Sequence, residues 1–404
     1  MIKPSDLSWD DIVSVGPKTL GGNYLRQFWW PVALSEEVKD IPVPVDALGE
    51  ELVLFRDLSG HLTLLGRHCA HRRASLEYGT IEEHGIRCAY HGWCYDQRGN
   101  VTDRPAEPIK TAPNIHHPWY PVEELGGFVF AYLGLDKDNP PMLPRYDILT
   151  MDGYRIAERG DTRLGKGYNC NWLQGVENTT DTTHMTYLHG IYKECPIFKA
   201  VESEYGVKIY IVSPGSKPNK VQVRQRCTVL PSINRKSREP WDEKSDTLEQ
   251  PIQQAIWLVP IDETHCEEMR LTVYPEVPKQ NSYHGGYVAK AQKRERKPYD
   301  RRFYGEIRGN VPLEDKAMVE SQGAIIDRSL EHPGFGDRAI LLLRKVLRDG
   351  IADVANGKKP TGVLREDCST VDLEIGLKEY DIDEAPEVIR DLIPELTKRL
   401  ATLG

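Results

Sequence analysis

Two short cysteine–histidine pairs constrain this chain more than any other feature of its sequence. The first is Cys69-x-His71, and the second, Cys88-x-x-His91, follows after sixteen intervening residues. Two thiolates on one iron and two imidazoles on the other form the ligand set of one kind of [2Fe–2S] cluster. Because neutral imidazoles replace anionic thiolates, such a cluster has a raised reduction potential, which suits a donor of single electrons to an oxygen-activating metal. The pairs therefore predict a cluster held by these four residues.

A structural zinc site is the alternative, because Cys and His ligands also hold Zn²⁺ in tetrahedral geometry. Zinc sites usually pair cysteine with cysteine and histidine with histidine, whereas each pair here is mixed. The pairs also lie between strand-like runs, at residues 52–57 and 95–101. The pattern favours the iron–sulfur cluster.

Length and charge narrow the class of protein. A chain of 404 residues is long enough for two or three domains. The net charge of −9 argues against a nucleic-acid partner and would permit docking to a basic redox partner. We expect neither a membrane span nor a secretory leader, because no sufficiently long apolar run is present. The eight cysteines have no repeating spacing outside the two pairs, which is typical of free thiols in a reducing cytoplasm.

Two domains are predicted, separated by a proline-rich loop at residues 136–144. Strand-like runs and glycine turns between residues 40 and 135 predict a small all-β unit that carries the cluster. We assign residues 25–140 to this cluster domain and residues 141–404 to a second domain, on which residues 1–24 could pack. Alternating strands in the second domain predict an antiparallel sheet flanked by helices, so the fold class is α+β.

Three predicted helices bear on the sites. The first runs from about Leu20 into Trp29 and stops at Pro31. The second runs over residues 172–189, and a third, long helix begins near Glu314.

A second metal-ligand pattern lies in the second of these helices, where His184 and His189 stand five residues apart. On an ideal helix that spacing separates side chains by about 140°, so both reach one ion only if the helix loosens or breaks between them. Two histidines and one carboxylate form the facial triad that leaves positions open on Fe(II). Asp315 is the preferred third ligand, and Glu314 is the alternative. Asp181, three residues before His184, would be its neighbour on a helix surface.

Together these motifs resemble the Rieske non-heme iron aromatic ring-hydroxylating oxygenases, in their catalytic (alpha) subunit. The likeness spans about residues 20–350 and rests on both cysteine–histidine pairs, on Glu177 to His189, and on Glu314-Asp315-x₄-Glu320. It is similar to the phthalate dioxygenase-like branch, which includes phenoxybenzoate dioxygenases and aryl O-demethylases. The resemblance implies a Rieske β domain beside a catalytic domain of helix-flanked antiparallel sheet. It also implies a homotrimer, or stacked trimers, without a second subunit type.

Residue roles follow from the same resemblance. The ligands of the [2Fe–2S] cluster would be Cys69, His71, Cys88 and His91. The ligands of a mononuclear Fe(II), with O2 as co-substrate, would be His184, His189 and Asp315. Asp181 would join His184 of one subunit to His91 of the next and so carry electron transfer, and Asn178 would lie near the iron. Ordinary helix-surface roles are the alternatives for Asp181 and Asn178.

One residue departs from the pattern of the family. Arg73 follows Cys69-Ala70-His71-Arg72, at a position where the family commonly has glycine. Because arginine does not adopt a positive φ cheaply, we expect the loop to differ locally while the cluster ligands stay the same.

An oxygenase is the first functional hypothesis. A separate NAD(P)H-dependent reductase of flavin and ferredoxin type would supply electrons, because the chain has no G-x-G-x-x-G in a βαβ context. The substrate would be a small aromatic compound, an aryl carboxylate or aryl ether, undergoing cis-dihydroxylation, monooxygenation or O-demethylation. A Rieske electron carrier or redox sensor is the alternative from another class, and the roughly 260 residues after the cluster domain count against it.

Substrate contacts are harder to predict. Arg224 and Arg226 lie two apart on a predicted strand, share one face and could pair with a substrate carboxylate. Exposed surface charge is the commoner role of arginine. Further candidates are Trp257, Tyr274 and Tyr283.

Overall fold

The computed structural model describes residues 1–108, 115–159, 167–192, 194–238, 241–242, 247–248, 251–277, 310–364 and 370–403. Tyr283, one of the predicted pocket residues, lies outside these ranges. The helices are α1 (Trp9–Val13), α2 (Leu20–Leu25), α3 (Asp147–Thr150), α4 (Trp172–Thr180), α5 (His184–Tyr187), α6 (Val311–Ser321), α7 (Arg338–Ala355) and α8 (Ile393–Leu403). The strands are β1 (Trp29–Leu34), β2 (Val43–Ala47), β3 (Glu50–Arg56), β4 (Leu62–Gly66), β5 (Thr80–Glu82), β6 (Gly85–Arg87), β7 (Cys94–Tyr95), β8 (Val101–Asp103), β9 (Trp119–Tyr120), β10 (Val122–Leu125), β11 (Phe128–Tyr132), β12 (Tyr154–Arg159), β13 (Ile197–Ser203), β14 (Gly206–Pro214), β15 (Lys220–Val229), β16 (Ile233–Arg238), β17 (Trp241–Asp242), β18 (Thr247–Leu248), β19 (Ile252–Pro260), β20 (Cys266–Tyr274) and β21 (Gly376–Asp381).

Two four-stranded antiparallel sheets, β2-β3-β4-β9 and β5-β6-β7-β8, form the all-β unit. Strand β3 is buried on both faces, because its apolar residues are consecutive rather than alternating. Val53 and Phe55 face a small core that includes Cys69 and Cys88. The neighbouring Leu52 and Leu54 face the main core of the protein, so β3 joins the cluster unit to the rest of the chain.

The second part is built on an eight-stranded antiparallel sheet in the order β12-β20-β19-β16-β15-β14-β13, with β21 added to β15. Helix α7 packs on β13 and β14 through an apolar stripe with helical spacing that includes Leu343, Val346, Leu347 and Ile351. Val207 and Ile209 of β14 are buried in the same core. One face of the sheet is therefore covered by helices, and we call it the helix face.

The opposite face of this sheet packs against the three-stranded sheet β1-β11-β10. Trp257 of β19 is 1% exposed there, with its ring 5.6 Å from Phe128 and 6.1 Å from Phe130 between centroids. Trp257 therefore belongs to the core on the side away from the helices, and its role as a substrate-pocket residue stays a prediction. The predicted domain bounds, 25–140 and 141–404, stay a prediction, since β1 and β11 share one core with the second part.

The first and third predicted helices differ from the structure in their bounds. The first ends at Leu25, and residues 29–34 form β1, an edge strand with an irregular register between Pro31 and Ala33. An edge strand tolerates proline because its free side needs no amide donor. The third helix, α6, has 11 residues and begins at Val311, so it is shorter than expected. None of the described helices is long and apolar enough to cross a bilayer.

Candidate metal centres

The four predicted cluster ligands lie on two loops with the same backbone hydrogen bonds. In the first loop the amide of Cys69 donates to the carbonyl of Ala74 at 2.8 Å, and the amide of Arg73 donates to the carbonyl of Cys69 at 2.9 Å. In the second loop the amide of Cys88 donates to the carbonyl of Trp93 at 2.8 Å, and the amide of Gly92 donates to the carbonyl of Cys88 at 3.0 Å. The two loops are thus conformational copies that present a cysteine at the same point.

Arg73 and Gly92 occupy equivalent positions in the two loops, and both have positive φ, 63° and 74°. The expectation that arginine would change the first loop locally is therefore wrong. The left-handed conformation is unfavourable for an L-residue by about 1–2 kcal/mol, and the bonds around it must outweigh that. His68 helps to stabilise this conformation, because its Nδ1 lies 3.3 Å from the carbonyl oxygen of Arg73.

The side chains on these loops separate into a thiol pair and an imidazole pair. Cys69 and Cys88 are 1% and 2% exposed, and burial, with the neighbouring Cys88, raises the pKa of Cys69. The rings of His71 and His91 are partly buried and meet edge to face, with 4.6 Å between centroids. Two different ligand pairs side by side fit a cluster with thiolates on one iron and imidazoles on the other.

Two aromatic residues support these ligands, and one was not foreseen. The Trp93 ring stacks on His71 at 4.9 Å with an interplanar angle of 6°. The hydroxyl of Tyr95 lies 3.0 Å from the Sγ of Cys69 and accepts the amide of Ala70 at 3.0 Å. A hydroxyl donor at a ligand sulfur tunes the potential of a cluster, so Tyr95 belongs to this site. Its signal in the sequence was only its closeness to Cys88.

The structure brings His184, His189 and Asp315 together at a second point. One ligand atom from each residue lies within 4.8 Å of the others. The Nε2 of His189 is 2.9 Å from Oδ1 of Asp315, and the Nε2 of His184 is 3.7 Å from the same oxygen. Glu314, the alternative third ligand, lies outside this group, with its Oε2 2.8 Å from Nδ1 of His189.

A break in the predicted helix over 172–189 makes this convergence possible. Helix α4 starts at its cap Asn171 and ends at Thr180, after which Asp181 is extended, with φ −63° and ψ 142°. One break precedes both histidines, and α5 then ends at Tyr187, so the helix also ends between His184 and His189, as their spacing requires. His184 then opens the short helix α5, and Gly190, with φ 65°, ends the turn that carries His189.

Asp181 fixes the start of α5 with both of its carboxylate oxygens. One accepts the amide of Thr183 at 2.7 Å, and the other accepts the amide and the Nδ1 of His184, each at 3.1 Å. Burial raises the pKa of Asp181, but the hydrogen bonds from His184 and Thr183 outweigh it and lower the pKa overall. Asp181 is therefore an anion that orients His184.

The two histidines are oriented in the same way by different carboxylates. Asp181 occupies the Nδ1 side of His184, and Glu314, 1% exposed, occupies the Nδ1 side of His189. Both Nε2 atoms consequently face Asp315. A carboxylate at Nδ1 fixes the tautomer that leaves the Nε2 lone pair for a metal, so the donor set fits a 2-His-1-carboxylate iron site.

The remaining motif residues divide between the site and the scaffold. Burial raises the pKa of Asp315, but His189, His184 and the side chain of Asn178 lower it overall, which places Asn178 near this carboxylate. Glu177 instead forms ion pairs with Arg328 at 3.0 Å and Arg344 at 2.7 Å. Glu320 accepts hydrogen bonds from the amide nitrogen and the Nδ2 of Asn169, at 2.9 Å and 3.0 Å. It therefore connects α6 to the segment before α4.

Arg226 is buried, although arginine side chains are more commonly exposed at the surface. It is 8% exposed, and its guanidinium donates to the carbonyls of Thr180 at 3.0 Å and Asp181 at 2.6 Å. Arg226 therefore holds the C-terminal end of α4 next to the break.

Comparisons with known proteins bear on both centres. The Rieske [2Fe-2S] domain family matches residues 28–113. The tert-butanol monooxygenase / tert-amyl alcohol desaturase oxygenase subunit of Aquincola tertiaricarbonis is 33% identical, over 92% of this chain and 81% of its own length. Phenoxybenzoate dioxygenase subunit alpha of Ectopseudomonas oleovorans is 32% identical, over 87% of this chain and 86% of its own length.

Solved structures bear on the fold. NdmB of Pseudomonas putida CBB5 superposes with a TM-score of 0.62 at 20% identity, covering 82% of this chain and 93% of NdmB. This likeness confirms the predicted α+β class, an all-β Rieske domain with a catalytic domain of antiparallel sheet and helices. With relatives above 30% identity along most of the chain, the protein belongs to the Rieske non-heme iron oxygenases, enzymes that carry a Rieske [2Fe–2S] cluster and a mononuclear iron and use O2.

Proposed function

We propose that this chain is the terminal oxygenase of a multicomponent system that oxidises a small aromatic substrate. The observation that carries the proposal is the group of His184, His189 and Asp315, with a carboxylate on the far nitrogen of each imidazole. When bound, the cluster supplies single electrons and the iron activates O2. The cluster ligands in this proposal are Cys69, His71, Cys88 and His91.

The protein groups in the iron site would have separate tasks. Asp181 and Glu314 keep a proton on the Nδ1 of His184 and of His189, so that each Nε2 stays a lone-pair donor. Asn178 lies near Asp315 and would restrain the carboxylate that completes the triad. The open positions of such a triad are where O2 and substrate meet.

Electrons would come from a separate NAD(P)H-dependent reductase of flavin and ferredoxin type. The naming of the relatives as oxygenase subunits supports a system with further components. In a homotrimer, or in stacked trimers, Asp181 would join His184 of one subunit to His91 of the next. A cytoplasmic location, with neither membrane nor nucleic acid as partner, completes this proposal.

The relatives differ in the substrates that their names give. One is named for tert-butanol and tert-amyl alcohol, which are neutral and aliphatic, and the other for phenoxybenzoate, which is an aromatic acid. We assign this chain to the aromatic group, with an aryl carboxylate or aryl ether as substrate. Cis-dihydroxylation, monooxygenation and O-demethylation are all reactions open to this site.

Iron counting on the purified protein tests the proposal. After anaerobic reconstitution with iron and sulfide, we expect iron beyond the two cluster atoms, together with the visible absorbance of the cluster. His184→Ala should lose the additional iron and keep the cluster spectrum. His332→Ala, a change at an exposed histidine, is the matched control and should keep both. Full retention of the additional iron in His184→Ala would contradict the assigned site.

A further inference from the structure

A row of cationic side chains crosses the helix face of the large sheet. Cys227 pairs with Arg235 across β15 and β16, so Arg226 and Lys236 are the next pair in that register. Lys236 pairs in turn with Gln254, and Gln254 pairs with Thr272. Arg270 is two residues from Thr272 and so shares its face. We call Arg226, Lys236 and Arg270 the cationic row.

The cationic row lies on the side of the sheet that holds the iron ligands. Asn234, two residues from Lys236, donates to the carbonyl of Thr179 at 2.9 Å. The hydroxyls of Thr228 and Thr180 are 2.9 Å apart. Both contacts place this face against the last turn of α4, directly before the break at Asp181.

The cations of the row have donors that the described residues do not use. The guanidinium of Arg270 pairs with Glu268, but the Nε of Arg270 has no hydrogen-bond partner among the described residues. The Nε of the buried Arg226 is likewise without a partner in that part of the chain. Lys236 forms no side-chain hydrogen bond or ion pair there either, although it is partly buried. Cations enclosed in a protein are normally paired, so the unpaired ammonium of Lys236 favours an anion from outside.

Three carboxylates lie near the cationic row, and Glu158 faces Arg270 directly across β12 and β20. Glu268 binds Arg270 and accepts the hydroxyl of Tyr168 at 3.3 Å. Asp315 lies beside His189, with Nε2 of the histidine 2.9 Å from its Oδ1. Lys236 therefore lies within electrostatic reach of two carboxylates without pairing with either.

The pKa of Lys236 agrees with an ammonium that lacks a counter-ion. Burial, followed by the charges of Arg270 and Arg226, lowers this pKa to about 8, while Asp315 and Glu268 act in the opposite direction. A bound anion would stabilise the ammonium form and raise the pKa again.

We propose that the cationic row is the anion subsite of the substrate pocket, where Lys236 receives the carboxylate of an aromatic acid and Arg226 and Arg270 add their charge beside it. This inference rests on the proposed function and deepens it, because it selects aryl carboxylates over neutral aryl ethers and alcohols. The acid group would anchor the substrate on the sheet, and its ring would lie towards Asp315.

Binding and turnover of matched substrates test the subsite. Isothermal titration of the holoenzyme would compare a set of aryl acids, such as 3-methoxybenzoate, with their uncharged amides. Oxygen uptake with a reductase would give KM and kcat for the same pairs. We expect the wild type to bind acids at least tenfold more tightly than amides. Lys236→Met should raise the Kd and KM for acids at least tenfold and leave the values for amides unchanged.

Two further variants separate a charge effect from a folding effect. Lys236→Arg should keep most of the preference for acids, because it keeps the charge. Lys208→Met removes a lysine from the neighbouring strand β14, where Lys208 pairs with Cys227 in register and so lies on the opposite face. It should behave as the wild type.

The possible failures are distinguishable. A wild type that binds amides as well as acids, or a Lys236→Met variant that binds acids as the wild type does, would overturn the subsite. If that protein still holds the additional iron and takes up oxygen with a neutral substrate, the oxygenase assignment stands. Absence of the additional iron and of substrate-dependent oxygen uptake would overturn the oxygenase assignment itself.

Discussion

The two metal centres are built by different means. At the cluster centre, two loops with identical main-chain hydrogen bonds present the ligands, and all four lie between residues 69 and 91. At the iron centre, side-chain carboxylates orient the ligands, and His189 and Asp315 are 126 residues apart. One centre therefore depends on backbone conformation, and the other depends on the charge of a few side chains. Substitutions that change charge without changing size should affect mainly the iron centre.

The largest effect is expected from Asp181→Asn. Asparagine has one acceptor oxygen, whereas Asp181 uses one oxygen for Thr183 and the other for His184, and the anion proposed to bridge two subunits is lost. Both metal centres should remain, because none of the seven proposed ligands changes. Turnover driven by NADH and the reductase should nearly disappear, and metal analysis with steady-state oxygen uptake would measure this.

A single-turnover experiment on Asp181→Asn supplies the control. Protein reduced chemically in advance, at both centres, should still convert one equivalent of substrate. Full steady-state turnover in this variant would remove the bridging role from Asp181.

Glu314→Gln should have the next largest effect. Glu314 is buried and orients His189 through Nδ1, so removing its charge weakens a ligand without removing it. Loss of such a partner typically lowers metal affinity or activity by about 10–100-fold. Competition with a chelator for the additional iron would measure the change, and Glu320→Gln on the same helix is the matched control. Equal iron affinity in the two variants would argue against the orienting role of Glu314.

A smaller effect than that of Glu314→Gln is expected from pH. It should change the binding of acidic substrates near the iron centre and leave the cluster centre unchanged. Lys236, with a pKa of about 8 set by burial and by Arg226 and Arg270 against Asp315 and Glu268, is charged below that pH and neutral above it. KM for an aryl acid should therefore rise above pH 8, by up to about tenfold per pH unit. In Lys236→Arg the rise should vanish, because arginine stays charged. A pH-independent KM for acids in the wild type would speak against Lys236 as the anchor.

The cluster centre could be predicted from sequence because its ligand spacing is local and its donor types are specific. His184 and His189 could also be identified, with a helix end between them, but the earlier break at Asp181 could not. The break depends on Asp181 leaving the helix to bind His184, a tertiary choice that helical spacing does not encode. Asp315 and Glu314 are adjacent in sequence, and only the packing of α6 separates their roles.

The cationic row shows a different limit of sequence-based prediction. Arg224 and Arg226 could be predicted to share a face because they lie two residues apart on one strand. Lys236 and Arg270 belong to other strands. Their common face depends on the register of β15, β16, β19 and β20, which no local pattern specifies. The burial of Arg226 has the same origin, since its partners are carbonyls at the end of α4.

The smallest effects are expected from single substitutions at Arg73 and at Gly92. These variants should also give the clearest contrast between the two cluster loops. Arg73→Gly relieves a left-handed conformation that is unfavourable by about 1–2 kcal/mol, but a more flexible unfolded chain offsets about 0.4–1 kcal/mol of the gain. The net result should be a stabilisation of about 1 kcal/mol or less, measured by denaturant unfolding followed through the cluster absorbance. Gly92→Ala should destabilise the second loop, because φ is 74° and a Cβ there would lie 2.7 Å from Cγ of Pro105. If Arg73→Gly instead destabilises the protein or changes the iron centre, the two loops are not equivalent copies and the arginine side chain has a role of its own.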